Sequence, residues 1–117
     1  MPVLTKLSGK ELTRSLVNQK FVIDRPKGTH HPRFTTIVYP VDYGYLDGTA
    51  SMDGTGIDVW LGSATSRTVD AIICTIDLRK KDSEVKILLG CTPEEEKLIY
   101  DFHNQIEHMK GLLIRRK

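Results

Sequence analysis

The sequence predicts a mainly β protein of the α+β class, in which an antiparallel sheet curls into a small barrel with a helix across one face or end. Short β-rich segments follow one another with brief turns between them, and only two segments carry the signals of a helix start. A chain of 117 residues can bury one core without cross-links. We therefore expect residues 1–117 to form a single domain.

A short helix is the first predicted element. Residues 8–11 match a capping box, in which the side chains of Ser8 and Glu11 satisfy amide groups at the helix start. Leu12, Leu16 and Val17 place apolar groups on one narrow side. Such a helix can lie against a sheet but is too weakly apolar to build a bundle.

The strand predictions follow from β-branched and alternating segments. Residues 21–24 and 33–39 predict the first two strands, and the alternation of Ile57, Val59 and Leu61 predicts a third with Asp58 on the opposite face. Further strands are predicted at residues 69–77, 84–89 and 112–114. Residues 69–77 are apolar on both faces, which is typical of a strand in the middle of a sheet.

The C-terminal helix has the clearest start in the chain. Thr92 is a capping residue, Pro93 takes the first helical position and Glu95 the third. The apolar face of the helix is predicted from residues at helical spacing, which are Ile99, Phe102, Ile106 and Met109.

Charge and cysteine content exclude several functions. The net charge is only +2 and the basic residues are scattered, so no nucleic-acid partner is expected. Cys74 and Cys91 lack metal or redox spacing, which predicts reduced thiols in a cytoplasmic protein. No apolar run approaches the length of a membrane span, so no membrane association is expected either.

Acidic, phenolic and glycine residues are concentrated in residues 39–60, which hold four aspartates and three of the four tyrosines. Asp53 and Asp58 flank a turn containing two glycines, so their carboxylates can converge on a hard cation such as Mg²⁺. The alternative is a surface turn whose aspartates accept hydrogen bonds from their own backbone.

Tyrosines and cations near this stretch could bind phosphate. The phenols of Tyr39, Tyr43 and Tyr45 are neutral donors, and Arg33 and Lys86 are the candidate cations on neighbouring segments. Space-filling tyrosines and solvated strand cations are the alternatives. Lys86 interrupts an otherwise apolar strand, which favours a specific role.

With these two motifs, Tyr-Pro-Val-Asp-Tyr-Gly-Tyr at residues 39–45 and Asp-Gly-Thr-Gly-Ile-Asp-Val at residues 53–59, the chain resembles the soluble family I inorganic pyrophosphatases. The resemblance implies an OB-like barrel that forms oligomers. It also implies Mg²⁺ ions, with Mn²⁺ as a possible substitute, that bind pyrophosphate and generate a hydroxide nucleophile.

The resemblance assigns roles position by position. It implies metal binding by four acids, which are Asp53, Asp58, Glu84 and Asp24, the last standing where a glutamate is usual. Phosphate binding is implied for Arg33, Lys86, Tyr43 and Tyr39, and catalytic roles for Asp58, Asp53, Lys86 and Tyr43. Thr55 replaces the middle aspartate of the metal motif, which the family uses as general base.

The sequence therefore predicts a Mg²⁺-dependent hydrolase of pyrophosphate or a related phosphoanhydride or phosphate ester, acting as a homo-oligomer on a small phosphorylated substrate. Thr55 motivates an alternative, a catalytically impaired relative that binds a phosphorylated ligand or a protein partner. A nucleic-acid-binding OB-like module is a third possibility, which the near-neutral charge disfavours.

Overall fold

The computed structural model describes Thr13, Leu16, residues 19–50 and residues 56–116. The capping box at residues 8–11, and the turn that carries Asp53 and Thr55, lie outside these described residues. Residues 19–50 and 56–116 contain six strands and one helix, in this order: β1 (Phe21–Arg25), β2 (Asp42–Leu46), β3 (Asp58–Leu61), β4 (Val69–Asp77), β5 (Asp82–Leu89), α1 (Pro93–Asn104) and β6 (Met109–Arg115).

The six strands form one sheet in the order β1-β2-β3-β5-β4-β6. Every neighbouring pair is antiparallel except β3 and β5, which are parallel. The parallel pair arises because β4 is not a neighbour of β3. The chain leaves one strand position open beside β3, and β5 fills it after the β4–β5 hairpin. The predicted mainly β class is confirmed, with β4 in the interior of the sheet as its apolar composition predicted.

Both faces of the sheet carry a core. The cluster on the α1 side is centred on Trp60 and Ile73, both fully buried, and Ile99 of α1 packs into it. The second cluster lies on the opposite face around Val59 and includes Leu16. Thr13 and Leu16 are both helical, as predicted, and Leu16 packs into this second cluster.

The start of α1 has the predicted capping box. The Glu95 amide donates to Thr92 Oγ1 at 3.2 Å, and the Thr92 amide donates to Glu95 Oε1 at 2.9 Å. The helix ends at Asn104, earlier than the predicted apolar face, and Met109 begins β6 instead. Asn104 favours this ending because its side chain bonds both backbone groups of Gly111.

The predicted strand at residues 33–39 is wrong. Within this segment only Val38 makes a β-bridge, to His30, and the Ile37 amide closes a turn by donating to the Phe34 carbonyl at 2.8 Å. The β-branched composition favoured a strand, but this turn folds the segment back onto the preceding loop. The Tyr39 amide then donates to the Thr29 carbonyl, which delivers the Tyr39 ring to the core.

No helix in the described ranges has both the length and the apolar character that crossing a bilayer requires.

Candidate functional site

Strand register places a group of polar side chains on the α1 side of the sheet. Tyr43 lies opposite Trp60, and Tyr45 lies opposite Asp58. Lys86 is two residues before Leu88, which lies opposite Trp60, and Glu84 is two residues further back. Because side chains alternate along a strand, all of these groups share the face that carries Trp60.

Lys86 is the centre of this group. Its Nζ donates to three oxygens, at 2.7 Å to Tyr43 Oη, 2.8 Å to Asp58 Oδ2 and 2.7 Å to Glu84 Oε2. An ammonium has three N–H groups, so all of them are used. The residue is only 6% exposed, and burial of a charge at this depth requires such partners.

The partners of Lys86 fix its protonation state and that of Tyr43. Burial alone would lower the pKa of Lys86, but Tyr43, Asp58 and Glu84 outweigh burial and raise it. Burial raises the pKa of Tyr43 well above its usual value, against the opposing charge of Lys86. At neutral pH the centre therefore contains an ammonium ion and a neutral phenol.

An aromatic wall supports the centre. The Tyr43 ring lies 4.6 Å from the Trp60 ring and 5.6 Å from the Tyr39 ring, measured between centroids. Trp60 Nε1 donates to His103 Nε2 at 3.1 Å, so the neutral imidazole carries its proton on Nδ1. Burial, helped by the charge of Lys86, lowers the pKa of His103 to about 3.

The structure brings together half of the predicted site residues. Asp58, Glu84, Lys86 and Tyr43 share the hydrogen-bonded centre, and Tyr39 lies beside it. Two others are apart from it, since Asp24 and Arg33 are both exposed. Asp53 is outside the described residues.

Sequence reasoning missed Arg25 and His31. The β1–β2 register slips between Ile23 and Arg25, which sets Arg25 opposite Tyr43. Burial raises the pKa of Tyr39 and the charge of Arg25 opposes this rise, and the His31 ring stacks on Tyr39 at 6.0 Å with an interplanar angle of 3°. A bulge leaves no periodic signal in the sequence, so the side that Arg25 faces was not predictable.

The two acids at the centre carry oxygen donors of the kind that a hard divalent cation prefers, and in this structure both bind the Lys86 ammonium. Two carboxylates, of Asp58 and Glu84, converge on the single point that Lys86 Nζ occupies. Mg²⁺ binds through one or two carboxylates and keeps several waters, so these two oxygen donors suit it. In the described part of the chain there is no group of three or more His, Cys, Asp or Glu side chains that could hold a metal ion.

Because Thr55 cannot act as a general base, another acid would have to take that role. Asp42, Asp77 and Glu84 are the candidates, and their surroundings differ. The Asp42 carboxylate accepts a hydrogen bond from the Lys27 amide at 2.8 Å. Burial acts to raise the pKa of Asp77, but hydrogen bonds from two backbone amides outweigh it and lower the pKa, which makes Asp77 a weak base. Of the three, Glu84 is the one that contacts Lys86.

Solved inorganic pyrophosphatases share this fold. The enzyme from Coxiella burnetii superposes with a TM-score of 0.52 at 12% identity, over 81% of this chain and 82% of that chain. The Helicobacter pylori enzyme gives 0.52 at 11% identity, over 81% of each chain. The Neisseria gonorrhoeae enzyme gives 0.53 at 16% identity, over 85% of this chain and 76% of that chain.

Sequence comparison adds nothing to this likeness, because no protein-family model matches the chain and no curated protein matches its sequence. At these identities the similarity shows a pyrophosphatase-like fold, and function has to be argued from the site.

Proposed function

We propose that this protein is a divalent-metal-dependent hydrolase of pyrophosphate or of a related phosphoanhydride or phosphate ester. The observation that carries the proposal is the convergence of Asp58, Glu84 and Tyr43 on the buried Lys86. A buried cation among two acids and a phenol is costly to assemble for stability alone. Strongly perturbed groups that cluster in this way are typical of catalytic sites.

Asp58 and Glu84 would hold the metal, with Asp53 as a third candidate ligand from the adjoining turn and Asp24 as a more distant one. Mg²⁺, or Mn²⁺ in its place, would supply charge neutralisation for phosphate and a bound water of lowered pKa. The two carboxylates are 19% and 28% exposed, so they are accessible to an ion from solvent.

Lys86 and Tyr43 would bind the phosphate that is attacked. Any N–H group that Lys86 withdraws from a carboxylate can donate to a phosphate oxygen as a charge-assisted hydrogen bond. Tyr43 remains a neutral donor because burial raises its pKa, and burial raises the pKa of Tyr39 as well. Arg33 would reach the substrate from its exposed loop, and Glu84 is the acid best placed to take the proton that Thr55 cannot.

Phosphate release provides the test. The native protein and Asp58→Asn are assayed on pyrophosphate, nucleotides and sugar phosphates, each with Mg²⁺, with Mn²⁺ and with EDTA. We expect metal-dependent turnover that falls at least about 100-fold in the variant, the usual scale for losing one electrostatic catalytic group. If the native protein turns over no substrate faster than Asp58→Asn does, the hydrolase proposal fails and the binding-protein alternative takes its place.

We also propose that two copies of the chain associate through the face of the sheet remote from α1, which is continuous with the second core. Six neighbouring apolar side chains lie on this part of the sheet: Ile72, Cys74, Ile76, Val85, Leu112 and Ile114. Leu112 is 64% exposed and Val85 55% exposed.

The size and shape of this apolar patch favour a second copy as its occupant. The six side chains present an apolar surface on the order of 400 Å². That is about half of the ~800 Å² that one partner contributes to a standard interface. Flat sheet faces pack well on one another, and Cys74 lies at the centre of the patch, between Val85 and Leu112 on the neighbouring strands. Both cysteines, Cys74 and Cys91, are free thiols.

A further inference from the structure

Lys86 already neutralises part of the charge of the two acids to which the proposed function assigns a metal ion. Its Nζ lies 2.8 Å from Asp58 Oδ2 and 2.7 Å from Glu84 Oε2. At these distances the ammonium is in direct contact with both oxygens, and a second cation at the same oxygens would be repelled by it. A second cation can therefore take these oxygens as ligands only if Lys86 gives them up.

The charge of the centre favours exchange of the two cations over their coexistence. Two carboxylates, one ammonium and one neutral phenol leave a single excess negative charge. A divalent cation in place of the ammonium would balance the two acids, whereas both cations together would leave an excess positive charge. Because an uncompensated charge is costly in a largely buried site, the balanced arrangement is the one that the acids favour.

The exposure of the three side chains allows this exchange to take place from solvent. The side chains of Asp58 and Glu84 are 19% and 28% exposed, whereas that of Lys86 is 8% exposed. A cation in solvent can therefore reach the acids while the ammonium is still bound to them. Lys86 carries its charge on a flexible four-carbon stem, so Nζ can withdraw without movement of β5.

Tyr43 holds Lys86 against the two acids. Its Oη accepts the third N–H group of Lys86 at 2.7 Å, and its ring centroid lies 5.2 Å from Nζ. Loss of the hydroxyl would leave one N–H group of a buried ammonium without its acceptor, which costs free energy. The same loss would change neither carboxylate and would not change the charge of the centre. Tyr43 therefore offers a way to loosen Lys86 at constant charge.

We infer that Lys86 is an internal counter-ion that competes with a divalent cation for Asp58 and Glu84, and so sets how tightly the site binds metal. The inference rests on the proposed function and concerns the regulation of that same site. Lys86 keeps the two acids paired when no metal is bound. The metal affinity of the native protein is therefore lower than its acids alone would give.

Titration of Mg²⁺ by calorimetry, with no phosphate present, tests the competition without requiring turnover. The proteins are the native chain, Lys86→Met, Tyr43→Phe and the matched control Lys97→Met. Lys97 pairs with Asp101 at 3.1 Å on α1 and its side chain is 75% exposed, so the control removes the same charge from an exposed ion pair.

We expect Lys86→Met to bind Mg²⁺ at least about tenfold more tightly than the native protein, because the cation no longer has to break hydrogen bonds between an ammonium and two carboxylates. Tyr43→Phe should bind Mg²⁺ about threefold more tightly or better, since one of the three hydrogen bonds of Lys86 is gone. Lys97→Met should stay within about twofold of the native protein, because an exposed charge contributes little.

Three results overturn the inference. One is a Mg²⁺ affinity in Lys86→Met that equals the native affinity or that rises no more than in Lys97→Met. Another is an unchanged or weaker affinity in Tyr43→Phe, because any gain in Lys86→Met would then come from net charge alone. The third is the absence of Mg²⁺ binding in all four proteins.

Thermal unfolding with and without Mg²⁺ provides a second readout, because Lys86→Met leaves two acids unpaired until metal binds. Competition predicts that Mg²⁺ raises the melting temperature of Lys86→Met more than that of the native protein. An equal or smaller rise counts against it. If Lys86→Met does not fold at any Mg²⁺ concentration, the affinity of Tyr43→Phe decides the matter.

Metal binding and hydrolysis together separate this inference from the proposed function. Tighter Mg²⁺ binding by Lys86→Met and Tyr43→Phe, without hydrolysis by the native protein, supports the competition and refutes the enzyme. Hydrolysis that depends on Asp58, with native-like Mg²⁺ affinity in both variants, overturns the competition and leaves the hydrolase standing.

Discussion

Replacing His103 with glutamine should make the free energy of unfolding less sensitive to acid. His103 is 4% exposed and accepts a hydrogen bond from Trp60 Nε1, while its own Nδ1 has no hydrogen-bond partner among the residues that the structure describes. An uncharged imidazole therefore fits the site and an imidazolium does not. A glutamine oxygen can accept the same hydrogen bond without ever taking a proton.

The size of the effect follows from the pKa of His103, which lies at about 3 in the folded protein against an ordinary value of 6.5. Between these values the unfolded chain binds a proton that the folded chain does not, so stability is lost as pH falls from 6.5 towards 3. Each pH unit in this window costs about 1.4 kcal/mol. At pH 4.5 the loss relative to neutral pH is therefore roughly 3 kcal/mol from this group.

Urea unfolding of native protein and His103→Gln between pH 7.5 and pH 4.5 measures this loss. Acidic groups with lowered pKa, such as Asp77 and Glu95, also destabilise the fold in acid, but they contribute equally to both proteins. The difference in unfolding free energy should move by about 3 kcal/mol in favour of the variant as pH falls. A difference that stays constant with pH would refute the assignment of a neutral, buried His103.

Three further changes test the centre, the sheet and the association face. Lys86→Met should lower the free energy of unfolding by about 3 kcal/mol in chemical denaturation, because it leaves two close carboxylates without their cation; a loss below 1 kcal/mol contradicts this. Gly44→Ala should destabilise far more than Gly48→Ala, since an added Cβ at Gly44 collides with the Val22 carbonyl whereas one at Gly48 meets nothing; equal melting temperatures would contradict it. Oxidative cross-linking should join two chains through Cys74 and fail in Cys74→Ser, and a monomer at all concentrations by light scattering would exclude the dimer.

Local chemistry made several elements predictable from the sequence. The start of α1 depends on three neighbouring residues whose side chains satisfy nearby amides, so Thr92, Pro93 and Glu95 determine it without help from the rest of the fold. β4 matches its predicted range because nine consecutive residues favour a strand. Residues 33–39 have an equally strand-like composition, but hydrogen bonds with residues 29–31 and the turn at Ile37 prevail over it.

The centre of the site was more predictable than its edge. Asp58 and Lys86 lie in otherwise apolar strands, and an ionisable group at such a position has to find a partner, so the sequence indicates that each of them has one. Arg25 gives no such signal, because a single bulged residue decides whether Arg25 or Asp24 faces Tyr43. The direction of the β1 side chains depends on pairing with β2, which periodicity within β1 cannot show.

The two parts of the site have opposite electrostatic character. At the Lys86 centre two carboxylates face one ammonium and one neutral phenol, which leaves one excess negative charge. Around His31 three cations lack ion-pair partners in the described part of the chain. By charge alone, the first part would attract a cation and the second an anion.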